Sequence, residues 1–231
     1  MNVIELNTIS LNASQFNVVG KGAIDSGSSA GGGGNNAPLD AIGIFIYDID
    51  GKLTAPEDWD SANNDRAVGV YVGTDTHRFV IAKDNSVDSL AWGGYGIEVD
   101  NIVTTTNKSN AKLDFDGKNN TNKIITQLSG FIDQKGNVGA PTCEYCANYT
   151  SPNGKRGYLG ASGEWQMVMD NKYKVMVALN KCGGSSLEGT SWNFTSTQYD
   201  SKNIWYYDLS GKWIASTSKI TKYKVRPFLS I

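Results

Sequence analysis

Gly27 to Pro38 reads "GSSAGGGGNNAP". Side chains this small bury almost nothing, so the tract cannot belong to a core and reads as a flexible linker. It divides the chain unevenly: residues 1–38 become an attachment strand and tether, and residues 39–231 a globular body. Upstream, "MNVIELNTISLNASQFNVVGK" alternates apolar and polar residues over short stretches, the pattern of a strand that needs a partner surface. A short adhesive strand, a loose linker and a body form the layout of a part attached at one end and presented at the other.

Within the body, turn residues recur between short apolar runs. In "AIGIFIYDIDGKL", Ile42, Ile44 and Ile46 share one face of a strand, and "DIDG" supplies a hairpin turn. "RAVGVYVGTDTHRFVIAK" has strand character on both sides of Gly73 to Thr76. "TNKIITQLSG" places Ile124, Ile125 and Leu128 at helical spacing ahead of Gly130, a natural stop. After Ser162, a candidate N-cap, Trp165, Val168 and Met169 again follow helical spacing, and Asp170–Asn171 predicts a break into two helices before Gly183. From Ser191 onward the period changes to two, which predicts three or four antiparallel strands with turns near Ser201–Lys202 and Ser210–Gly211. The expected class is α+β, with short antiparallel strands and two or three helices.

Charge names no partner. With 21 Lys plus Arg against 23 Asp plus Glu the net is -2, which argues for neither nucleic acid nor a membrane surface, and no run is long enough to span a bilayer. The N-terminus lacks the basic and apolar regions of a secretory signal. Three cysteines, Cys143, Cys146 and Cys182, exclude a fully paired disulfide framework; "CEYC" is half a zinc site without a second pair, since His77 is the only histidine. Asp75, on the same turn as His77, is too close in sequence to orient it in a catalytic triad. "LDFDGKNNTN" gathers Asp114, Asp116, Asn119 and Asn120, either as an Asx-rich turn leading into a helix or as oxygen ligands for calcium, although its spacing departs from an EF-hand loop. No cofactor, metal or catalytic residue is expected.

The tail is more informative. Tyr199, Trp205, Tyr206, Tyr207 and Trp213 crowd into a short stretch beside Ser, Thr, Asn and Asp. Period two assigns Trp205 and Tyr207, with Trp192, to a core face, and Tyr206 and Asp208 to the opposite face beside "ASTSKIT". Tyr combined with short polar residues is the composition of a binding surface, because rigid amphipathic rings give contact area at low entropic cost and short polar groups adapt.

These residues also carry a resemblance. "GYLGASGEW" is similar to the Leu-Pro-Ser-x-Gly-Glu-Trp-type signature of C-type-lectin-fold proteins related to the formylglycine-generating-enzyme scaffold, and "YKVRPF" to their closing strand. "STQYDSKNIWYYDLSG" resembles the frame of variable proteins of gut Bacteroidetes and their phages; "APEDW", "VGVYV", "DFDGKNNTNKI" and "CANYT" follow in the family's order. The resemblance runs from Leu39 to Ile231. Gly160 stands where the family has proline, Ile204 where it has a small residue, and Lys224 where it has arginine.

The resemblance implies a C-type-lectin-like fold and a ligand-binding role, with C-terminal strands varied by a diversity-generating retroelement. The implied ligand-contacting positions are Asp200, Ser201, Asn203, Tyr206, Asp208, Ser210, Ile214, Ser216, Thr217 and Thr221. The implied fixed frame is Trp192, Gln198, Trp205, Gly211, Arg226 and Pro227. The cysteine pair of the scaffold's enzymes has no counterpart after Cys182, so a shared scaffold implies no catalysis. The resulting expectation is a receptor-binding virion protein at a phage tail-fibre tip that recognises a bacterial surface glycan or protein. Its N-terminal segment would join other virion or fibre subunits, and avidity would favour a homo-oligomer such as a trimer. The alternatives are a bacterial cell-surface or pilus-tip adhesin, and a structural virion protein without receptor binding.

Overall fold

The computed structural model describes residues 36–187, 192–210 and 213–231. The predicted N-terminal strand and most of the linker lie outside the described residues, as does Gly211. Asn36–Ala37, expected within the tether, form strand β1 of the body and pair with Leu53–Thr54.

In chain order the remaining elements of the first half are β2 (Gly43–Asp48), β3 (Leu53–Thr54), β4 (Ala67–Gly73), β5 (Arg78–Ala82), β6 (Leu90–Ala91), α1 (Lys108–Ala111) and α2 (Gly117–Leu128). They are followed by α3 (Pro141–Asn148), β7 (Gly157–Tyr158), α4 (Ser162–Asp170), α5 (Lys172–Lys181), β8 (Trp192–Gln198), β9 (Asn203–Asp208), β10 (Trp213–Ser218), β11 (Lys222–Tyr223) and β12 (Phe228–Leu229). One sheet runs β1-β3-β2-β4-β5-β12-β7, a second β10-β9-β8, and a third pairs β11 with β6; every pairing between these strands is antiparallel. The α+β class is therefore observed. No helix among the described residues is long and apolar enough to cross a membrane.

Both early hairpins form where the turn residues predicted them. Gly51 closes the β2–β3 turn at φ 79°, a conformation open to glycine, and Asp48 Oδ1 accepts from the N–H groups of Asp50 and Lys52. Ile44 and Ile46 face the core, whereas Ile42 precedes the strand and is 64% exposed. A register shift between Tyr47 and Asp48 leaves Val68 of β4 without an opposite residue. Val68 and Tyr71 thus reach one face of the large sheet while Ala67, Val70 and Val72 reach the other.

The helix count exceeds the expectation of two or three: the described residues contain five α-helices. The break at Asn171 between α4 and α5 is as predicted, although Ala161 rather than Ser162 is the N-cap, and Glu164 Oε2 accepts from its N–H at 2.7 Å. α1 is a single turn capped by Asn107. α3 starts at Pro141, whose missing N–H is no loss in a first turn, and buries Cys143 and Cys146 one turn apart. Those cysteines are packing residues; burial pushes both thiols above their usual range, which keeps them uncharged.

The three-stranded sheet is buried on both sides. Trp205, Tyr207 and Ile214 join the core formed by the large sheet with Trp165, Val168, Val175, Leu179 and Phe228. Ile204, Tyr206 and Phe194 join a second core with Trp92, Val99, Ile124, Leu128 and the α3 cysteines. β9 is therefore a wall between two cores.

Candidate functional site

The ten positions implied as ligand contacts fall into three groups, because β9 and β10 are fixed in register: Trp213 pairs with Asp208, Ile214 with Tyr207, Ser216 with Trp205 and Ser218 with Asn203. A six-residue strand is about 20 Å long, so its two ends cannot touch one small ligand.

The middle group is a correction. Ile214 is 2% exposed and Tyr206 4%, so neither is the surface residue the family frame implied. Tyr206 stands with its ring centroid 5.0 Å from Trp192 and 6.2 Å from Tyr223, inside the second core. Trp192, expected beside Trp205 and Tyr207, thus packs on the opposite face of the sheet. The physical reason is that alternation identifies two faces but not which face meets water, and here neither does.

At one end of β9, Asp208 is also buried, at 7% exposure, and is a turn-closing acceptor rather than a surface contact. Its Oδ1 accepts from Ser210 N–H at 2.9 Å and from Ser210 Oγ at 2.6 Å. Ser210 itself is exposed.

The other end brings five of the positions together. Asp200, Ser201 and Asn203 form the β8–β9 turn; Thr217 and Thr221 flank the turn after β10, with exposed Ser216 one step along the strand. Asp200 Oδ1 accepts from the N–H groups of Lys202 and Asn203, both at 2.7 Å, and Asn203 Nδ2 donates to the same carboxylate. Partial burial works against ionisation of Asp200, but these hydrogen bonds and the nearby Lys219 charge together hold its carboxyl below the usual range. Thr217 and Thr221 hydroxyls lie 3.4 Å apart. The result is a ledge of short polar side chains with fixed backbone.

What fixes it is a residue the sequence reading passed over. Lys219 is wholly buried; its Nζ donates to Ile97 O at 2.6 Å and to Gln198 Oε1 at 2.7 Å, and sits 4.6 Å from the Trp92 ring centroid. Burial draws its pKa down to about 7, against the opposing pull of Asp200 and Glu98. Gln198 also accepts from Val99 N–H and donates to Thr104 Oγ1, while Trp205 Nε1 donates to Thr105 O. Through these bonds, and through Gly96 N–H to Ser201 O, the loop around residues 96–105 is tied to the ledge. A lysine inside "STSKITKY" carries no sequence signal of burial.

The other frame positions are structural supports. Arg226, 1% exposed, donates to the carbonyls of Ala82, Lys83 and Ser185 and to Ser185 Oγ. Pro227 O accepts from Ala82 N–H. Gly160 has a reason of its own: a Cβ there would stand 2.7 Å from the Phe228 ring, so any side chain at this position would force that buried ring to shift. Asp114, weighed as a calcium ligand, is buried and accepts from Asn120 Nδ2, Thr197 Oγ1 and Asp116 N–H. Its carboxylate joins α2 to the register shift in β8, and the described residues hold no acidic, His or Cys cluster suited to a metal.

No family model matches the chain. No curated protein matches it. Among solved structures, a fimbrial protein from Bacteroides ovatus is similar in fold, with a TM-score of 0.60 at 16% sequence identity, over 83% of this chain and 49% of that one. The chain thus spans about half the length of the fimbrial protein.

Proposed function

We propose that the chain is a non-enzymatic, adhesin-like protein of the bacterial cell surface that binds a surface glycan or protein through its polar ledge. The observation that carries this reading is the fold likeness to a fimbrial protein across 83% of the chain. The ledge supports it: Ser201, Asn203, Ser216, Thr217 and Thr221 offer hydroxyl and amide groups on a backbone that Lys219 and Gln198 hold still, so little ordering entropy opposes binding. The C-type-lectin-like scaffold and variation at the ledge belong to this proposal, as does display in a homo-oligomer, where weak single sites gain avidity. The virion reading would use the same ledge, but no comparison favours it.

The experiment is binding of the labelled full chain to a panel of gut bacterial strains, with and without removal of surface polysaccharide. Strain-restricted binding that the Asn203→Ala and Thr217→Ala double variant loses supports the proposal. Binding that survives this double variant assigns the ligand to another surface.

A further inference from the structure

Remote from the ledge, a cavity of about 590 Å³ opens between the first turns of α2, the end of α3, the Thr150–Arg156 turn and the residues after β12. Lys118, Lys155 and Arg156 line it, together with Asn122, Asn148 and Tyr158. The three cations come from two separate elements, and among the described residues none of them forms an ion pair with a carboxylate. Asp116, at the N-cap of α2, is turned to Asn119 Nδ2 at 2.6 Å.

The cations are placed by rigid backbone. Ser151 closes its turn by accepting from Gly154 N–H at 2.8 Å and donating N–H to Lys155 O at 2.9 Å, and Gly157 N–H donates to Tyr149 O at 3.0 Å. Arg156 Nη1 donates to Asn148 O at 3.4 Å, its one hydrogen bond among the described residues, and the side chain lines the cavity. Three cations around one cavity give it a local positive charge that attracts an anion.

We infer that this cavity is a binding site for a carboxylate-bearing saccharide, such as a uronic acid unit of an acidic polysaccharide. The planar guanidinium matches a carboxylate through two parallel N–H bonds. The Asn122 and Asn148 amides, which both donate and accept, suit ring hydroxyls. The volume lies in the range of small-ligand sites. The site is independent of the ledge, so either can fail without the other.

The test is calorimetric titration of the full chain with trigalacturonate and with a neutral galactose trimer, at low and at moderate salt. The expected result is binding of the acidic trimer alone, weakened by salt. Lys155→Gln with Arg156→Gln should lower its affinity about tenfold or more, and Arg156→Lys should lose part of it because the charge remains but the fork does not. Unchanged melting curves are expected, since Lys118 and Arg156 are exposed and Lys155 is half-buried. Equal binding of the neutral trimer, no binding of either trimer, or full affinity in the double variant would each overturn the assignment. Inorganic phosphate competing more strongly than free galacturonate would overturn the carboxylate specificity.

Discussion

Lys219 Nζ lies 2.7 Å from Gln198 Oε1, inside the protein, and joins the turn after β10 to the last residue of β8. With the bond to Ile97 O, it makes one buried lysine side chain the tie between the ledge and the loop behind it. Lys219→Met removes both bonds and leaves Ile97 O without this donor, which should cost about 1–3 kcal/mol of stability. Denaturant titration checks it, and ledge binding should weaken in the same variant.

The same lysine predicts a pH effect. Its pKa is lowered by burial from 10.5 to about 7, so its contribution to stability is present above the unfolded value and is lost as pH falls towards 7. The stability difference between wild type and Lys219→Met should grow from pH 7 to pH 10.

Glu164 has the opposite sign. Buried beside Tyr158, whose hydroxyl donates to Oε1 at 2.7 Å, its carboxyl is pushed up by burial to about 8. The neutral form is the folded form, so its contribution is complete below about 4.5 and is lost as pH rises through 8. Glu164→Gln, which cannot ionise, should flatten the pH dependence of the unfolding midpoint over that window.

Core and surface within one strand pair should separate cleanly. Ile214→Ala should lower stability by about 2–5 kcal/mol and Tyr206→Ala by about 3–5 kcal/mol, since both create cavities in packed cores. Ser216→Ala, at an exposed position two residues along β10 from Ile214, should stay within about 0.5 kcal/mol of wild type. Chemical denaturation of the three variants decides it.

Arg226→Lys should destabilise although the charge is kept. The guanidinium serves the carbonyls of Ala82, Lys83 and Ser185 from one fork, and an ammonium cannot reach all three from the same stem. A loss of about 1–3 kcal/mol is expected, read as a shift in melting midpoint.

Much of the fold was legible because turn chemistry and period two are local signals. "DIDG", Gly73 to Thr76 and Asp170–Asn171 each stopped or turned an element where the pattern said they would. α3 was hidden because its inward face is made of two cysteines rather than a periodic run of large apolar residues. The surface was harder to read than the strands. Tyr206 and Asp208 alternate with Trp205 and Tyr207 as a one-sided strand would, but a second core covers the far side, built from Trp92, Ile124 and Leu128, all distant in sequence. Lys219 was invisible for the matching reason: its burial depends on Ile97 and Trp92, which lie more than a hundred residues earlier.

The most direct measurement of the central claim pairs cell binding with the melting curve for two variants side by side. One is Asn203→Ala with Thr217→Ala, the other Tyr206→Ala. The account predicts that the ledge variant melts within a few degrees of wild type and loses binding, while Tyr206→Ala melts far lower. A ledge variant that binds as wild type does, or a Tyr206→Ala protein that melts normally and no longer binds, would contradict it.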